Sequence, residues 1–393
     1  TLSSLRRTPV AARHASCVNC AAEAESVSTP VQSVPTGRIG TQPAEPLPLA
    51  LVEERDACGV GFIADLKGRR RHDTIARTLT ALGCMEHRGG CGGDGVSGDG
   101  AGVLTAVPWE LLEAEGALQG KPSANCAVAM TFLPQAEEDA LAAQAIFEAQ
   151  AAKRGLQVLG WRDVPQDKEA LGRLALDALP IIRQAIIHHP EKTGDALEDA
   201  LYAARRSAQA DFAASAQGAV KTTYFASVSS RTIVYKGMVQ SCVLGPFYKD
   251  LTNELFQTNF AIYHRRFSTN TVPKWPLAQP MRCLAHNGEI NTLLGNVNWQ
   301  RALDIQRDRR DPLCSLERSD SANLDAVFEN QIRYGKTPAH AIAVLVPEAF
   351  RNQPVYDPYP EIVDMLEYYE GLQEVRTPAP CLPPPSHPPP PPP

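Results

Sequence analysis

The stretch CGVGFIADL, residues 58–66, follows Ala57, near which ordered chain is expected to begin. It is a short apolar run with β-branched residues, bounded downstream by charge, and so predicts a strand. Ile75, Leu79 and Leu82 then recur at helical spacing, with Asp73 as the expected N-cap. Further strand-like runs follow at VLTAV (103–107), CAVAMTF (126–132), TTYFASVSS (222–230), TIVYKGMV (232–239) and NFAIYH (259–264). Helical patterns fall near 136–154, 195–216, 293–307, 322–334 and 360–370. The strands arrive in groups rather than alternating singly with helices. That favours an α+β sandwich over a doubly wound parallel sheet.

Upstream of this strand the chain changes character. Residues 1–22 hold no Asp or Glu and carry Arg6, Arg7 and Arg13 among Ser, Thr and Ala. An organelle transit peptide has that composition, and the apolar centre of a secretory signal is absent. Residues 23–50 are rich in Pro and Ser without periodicity, as in a flexible pro-segment. At the other end, residues 377–393 hold 11 of the 33 prolines and finish in a run of six. Such a tail is expected to be polyproline II, disordered, or an artefact of the gene model.

The bulk numbers suit a soluble globular chain. Of 393 residues, 44% are hydrophobic and 21% charged. A formal charge of -6 argues against a dedicated nucleic-acid binder. No apolar run approaches the ~18 residues a membrane helix needs. The ten cysteines form no regular framework and are expected to be reduced thiols.

Several motifs carry chemistry. Cys58 at the head of CGVGF is either a buried cysteine opening a strand or a nucleophile made N-terminal by proteolysis, its own α-amine serving as base. GCMEHRGGCGGDGVSGDGAGV (83–103) offers Cys84, His87 and Cys91, but no second pair of metal ligands sits nearby. Its glycines lack the Gly-Lys-Ser/Thr ending of a phosphate cradle, and its acids lack the spacing of a calcium loop. It reads instead as a tight loop closing on something. In YHRRFSTNTVPKWPLAQPM (263–281), Arg266 is either part of a basic turn or a guanidinium fork for a carboxylate. In AHNGEINTLLGN (285–296), Asn287-Gly288 is either a hairpin turn or a pair of donors forming an oxyanion hole. SDSANLD (319–325) caps a helix, and Asp320 could also face a substrate.

Taken in order, these motifs resemble class II glutamine amidotransferases, and among them the amidotransferase domain of ferredoxin-dependent glutamate synthases. RTIVYKGMV and YPEIVDMLEYYEGLQE add to the likeness, which runs from about Cys58 to Glu374. The resemblance implies a four-layer αββα sandwich of the N-terminal-nucleophile hydrolase type. It also implies maturation that leaves Cys58 first. Cys58 then matches the nucleophile, and Asn287 and Gly288 the oxyanion hole. Arg266 matches the group gripping the glutamine α-carboxylate, Asp320 the group holding its α-ammonium, and Thr269 sits in the same substrate-facing turn. The implied domains are a leader and pro-segment over 1–57, the amidotransferase over 58–376 and the proline-rich tail. After GLQE the family continues into further strands where this sequence turns to VRTPAPCLPPP, so the domain is expected to be incomplete at that end. FMN and an iron–sulfur cluster belong to the family's synthase region, and this chain is expected to bind neither. Glutamine is the implied substrate, ferredoxin the implied partner of a full-length enzyme, and the chloroplast the implied location. A non-catalytic remnant acting only in interactions is the rival reading. An amidotransferase of sugar or purine amination is disfavoured by PKWPLAQPM, and a cysteine-rich metal protein by the scattered cysteines.

Overall fold

The computed structural model describes residues 59–265, 273–286, 290, 293–306, 312–314, 318–356 and 358–375. In chain order, β1 (Val60–Ala64) leads to α1 (His72–Cys84), β2 (Ser97–Ala106), α2 (Trp109–Ala114), β3 (Cys126–Leu133) and α3 (Glu137–Ala152). Then come β4 (Gln157–Asp163), α4 (Arg173–Asp177), β5 (Ile181–His188), α5 (Gly194–Ala214), β6 (Tyr224–Ser229), β7 (Thr232–Val239), α6 (Ser241–Phe247) and β8 (Phe260–Arg265). Four helices complete the described chain: α7 (Leu293–Gln306), α8 (Asp320–Arg333), α9 (Pro338–Leu345) and α10 (Pro360–Val375).

The strands form two four-stranded sheets, ordered β1-β8-β2-β7 and β4-β5-β3-β6. Every pairing is antiparallel. Consecutive strands β6 and β7 belong to different sheets and pack on each other. Helices α1 and α6 cover the outer face of the first sheet, α3 and α5 that of the second. The expected four-layer αββα sandwich is what the chain forms.

Strand β3 shows why. All of its residues are buried, because an interior strand of a covered sheet has no solvent face. Its side chains still divide by period two. Cys126, Val128, Met130 and Phe132 enter the core between the sheets, while Ala127, Ala129 and Leu133 enter the core under α3 and α5. The small residues on that side let alanine-rich helices (Ala140, Ala143, Ala204, Ala208) sit close on the sheet. A third core joins α7, α8 and α9.

Two expectations need correction. Helix α1 begins at His72 with Arg71 in the cap position and no side-chain cap; Asp73 lies in the first turn, paired with Arg77 at 2.8 Å. Strand β2 begins at Ser97, six residues before the apolar run. Its glycines are there because other chain lies on it: a Cβ on Gly102 would stand 2.5 Å from the Gln279 carbonyl oxygen.

Candidate active site

Of the residues singled out above, Asp320 is described; Cys58, Arg266, Thr269, Asn287 and Gly288 lie outside the described residues. Gly59, Arg265 and His286, the covalent neighbours of Cys58, Arg266 and Asn287, are described, and these come together. Strand β1 runs antiparallel to β8, with Val60 opposite His264. Gly59, bonded to Cys58, accepts a hydrogen bond on its carbonyl from the Arg265 N–H at 2.7 Å. The chain thus leaves one end of this strand pair towards Cys58 on one side and Arg266 on the other. Next to that end, His264 Nε2 donates to the carbonyl of His286 at 2.7 Å. His286 precedes Asn287. Its own Nε2 lies 2.8 Å from Ser321 Oγ, and Ser321 follows Asp320 at the head of α8. Asp320 is exposed, and the α8 cap comes from Ser319, whose Oγ accepts from the Ala322 N–H at 3.2 Å.

The glycine-rich block closes on Arg265. That guanidinium is fully buried. It donates to Glu86 Oε1 at 2.6 Å, to the Gly100 carbonyl at 2.9 Å, to the Gly90 carbonyl at 3.3 Å, and to Asp99. Glu86 in turn accepts from the Ser241 N–H at 2.8 Å, tying in α6. Gly89 lies against the guanidinium so closely that a Cβ there would fall 1.8 Å from Arg265 Cζ. Only glycine permits that approach. Farther along the block, Asp94 accepts from the Ser97 hydroxyl at 2.6 Å and from the N–H groups of Val96, Ser97 and Leu174. Burial would raise its pKa, but these donors outweigh burial and hold it well below the usual carboxylate range.

Among the described residues no group of three or more His, Cys, Asp and Glu is placed to hold an ion. His87 Nδ1 donates to the Cys84 carbonyl at 3.1 Å, and Cys91 Sγ accepts from Gln240 Nε2 at 3.3 Å. No disulfide joins any of the six described cysteines.

The motif order and the sandwich now meet a comparison of sequences. Residues 58–379 match the family described as glutamine amidotransferases class-II. The chain belongs to that family. A Synechocystis protein named ferredoxin-dependent glutamate synthase 2 is 49% identical over 338 residues, 82% of this chain and 21% of the relative. Rice and spinach proteins, each named ferredoxin-dependent glutamate synthase, chloroplastic, are 46% identical over the same shares. The chain spans about a fifth of the length of these relatives.

For a class-II amidotransferase, the reading of the residues passed over some that the fold places beside the site. Arg265 is one, next in sequence to Arg266. Another is Lys236 of β7, fully buried, which donates to the Pro276 carbonyl at 2.9 Å and to Tyr224 Oη at 3.0 Å. It fastens the WPLAQP stretch over the sheets. Burial lowers its pKa, an effect that Tyr224 opposes. A lysine within TIVYKGMV, on a strand otherwise apolar, was the signal available.

Proposed function

We propose that this amidotransferase hydrolyses glutamine with Cys58 as its nucleophile once residues 1–57 are removed. The α-amine of the new N-terminus, with a pKa of about 7.7–8.0, accepts the thiol proton. The thiolate attacks the side-chain amide carbon, and the proton leaves with ammonia. The γ-glutamyl thioester that remains is hydrolysed to glutamate, restoring the thiol. Arg266 grips the α-carboxylate, Asp320 the α-ammonium, and Thr269 shares the turn. The Asn287 amide and Gly288 N–H meet the oxyanion. The observation that carries this reading is the run of hydrogen bonds from Gly59 to Arg265 and from His264 through His286 to Ser321. It brings the neighbours of Cys58, Arg266, Asn287 and Asp320 together, although they come from four separate parts of the sequence.

The relatives' names support a wider assignment. In it, residues 1–57 are a plastid leader and pro-segment, 58–376 the amidotransferase unit and 377–393 a tail outside it. Ammonia released here serves glutamate synthesis driven by ferredoxin in the chloroplast stroma, and the FMN and iron–sulfur chemistry lies outside this chain. Among the described residues no helix is long and apolar enough to cross a membrane.

The test compares glutamate release by protein whose first residue is Cys58 with protein that keeps Ala57. Activity is expected only from the first, since an acylated nitrogen is no base. Full turnover with residues 50–57 attached would overturn the mechanism. A folded protein beginning at Cys58 that releases no glutamate would favour the non-catalytic remnant.

A further inference from the structure

The chain approaches Asn287 along residues 281–286, and one buried carboxylate holds that approach. Asp325, fully buried on α8, accepts on Oδ1 from the N–H of Cys283 at 2.8 Å and from the N–H of Leu284 at 3.0 Å. Its other oxygen lies 3.0 Å from Arg282 Nη2, an ion pair without hydrogen-bond geometry. Arg282 has a better acceptor one turn along the same helix. Glu329 Oε2 takes its Nε at 3.2 Å, and also takes Arg205 Nη2 of α5 at 2.6 Å. The two carboxylates therefore divide the work. Glu329 fastens α8 to α5 and to Arg282, whereas Asp325 is aimed at main chain. The same helix carries Ser321, which meets His286, and Asp320 at its head.

We propose that Asp325 is a positioning residue for the oxyanion donors: by fixing the main chain of Cys283 and Leu284 it sets where Asn287 and Gly288 present their N–H groups. This rests on the reading of Asn287 and Gly288 given above. Two charge-assisted bonds to successive N–H groups fix the direction of this segment as well as its place. Donors to a developing oxyanion act through preorganisation, and a misplacement of about 1 Å can cost ~10²-fold in rate. Substrate binding through Arg266 and Asp320 does not need those donors, so the loss belongs in kcat.

The experiment uses the full chain processed to begin at Cys58. Asp325→Ala is expected to lower glutaminase kcat on the order of 10²-fold with KM within about threefold, while alkylation of Cys58 by iodoacetamide keeps its rate. Asp325→Asn keeps an acceptor for both N–H groups and loses only charge, so it is expected to retain kcat within about fivefold. A role confined to charge balance against Arg282 predicts instead that Asn is as damaging as Ala, and that result overturns the proposal. So does wild-type kcat in a folded Asp325→Ala, or a loss carried by KM. If the alanine variant does not fold, the asparagine variant decides alone: a hundredfold loss sinks the idea. Asn287→Ala separates the two levels. If it turns over normally, the oxyanion assignment fails; if it is impaired while Asp325→Ala is not, only the positioning role fails. Combining Asp325→Ala with Asn287→Ala should cost less than the product of the two, because both act on one step.

Discussion

The guanidinium of Arg265 is committed to Glu86, Asp99 and two carbonyl groups, so of the two consecutive arginines it is Arg266 that our reading assigns to substrate. Sequence could single out Arg266 only through the resemblance. From the residues alone, Arg266 after a strand is either part of a basic turn or a fork for a carboxylate, and nothing local says that the first of the pair is buried. Burial of Arg265 depends on Glu86 and Asp99, distant in sequence, and on Gly89 lacking a Cβ. The assignment has a kinetic consequence. Lysine keeps the charge of Arg266 but loses the planar fork that holds both carboxylate oxygens. Arg266→Lys should raise KM for glutamine on the order of tenfold, the worth of a charge-assisted hydrogen bond, with kcat changed much less. Steady-state glutaminase kinetics check this, and an unchanged KM would remove Arg266 from the site.

At the scale of elements, what could be read was whatever follows a simple period. The runs at 126–132 and 232–239 became β3 and β7, and the alanine-rich stretches became α3 and α5. Strands β4 and β5 went unread because charge and amide interrupt their apolar pattern. Arg183 in IIRQAIIH pairs with Asp163 at 2.7 Å and Glu137 at 2.8 Å, and Gln184 donates to Tyr235 Oη at 2.9 Å. Those polar residues are satisfied only by partners the fold supplies. The glycine-rich block gave an incomplete signal of another kind: its tight closure was legible, its hub was not. Asp94 holds that closure, accepting four hydrogen bonds from the loop and from the start of α4. Its pKa is depressed in the folded chain. A depressed carboxylate contributes stability that is fully present above the unfolded value of about 3.9 and is lost as pH falls towards the folded value. Below about pH 4 the wild-type protein should therefore lose stability faster than Asp94→Asn, which should be the less stable of the two at pH 7. Urea midpoints measured from pH 7 down to pH 3 test this; parallel curves would mean that Asp94 contributes no proton linkage.

Across the whole molecule, the two sheets are joined by more than apolar packing. Arg162 of β4 donates to both oxygens of Asp250 at 2.8 Å, and to Glu115 and Gln184. Tyr235 of β7, in the other sheet, donates to Asp250 at 2.8 Å and accepts from Gln184 of β5. The network therefore spans the sandwich where β4 and β7, the end strands of the two sheets, come within reach of one carboxylate. Burial and the neighbouring Asp250 charge both push the Tyr235 pKa well above its ordinary value, so the phenol stays a donor. Burial alone would lower Arg162, but Asp250 and Glu115 keep it charged. A charge this deep is tolerated only with its partner in place. Removing Asp250 leaves the guanidinium to Glu115 and an amide, and strands the Tyr235 hydroxyl between them. Asp250→Ala should thus cost about 3–5 kcal/mol of stability, far more than a surface ion pair is worth. Because the hydrogen bonds of this network reach neither Gly59 nor Arg265, the folded fraction should keep its glutaminase kcat. Arg162→Met in the Asp250→Ala background should recover part of the loss, since it removes the stranded charge and fills the space with apolar carbon. Urea unfolding of the two single variants and the double one measures this. Strict additivity would mean that Arg162 and Asp250 do not act as a pair, and that the sheets are held by their apolar core alone.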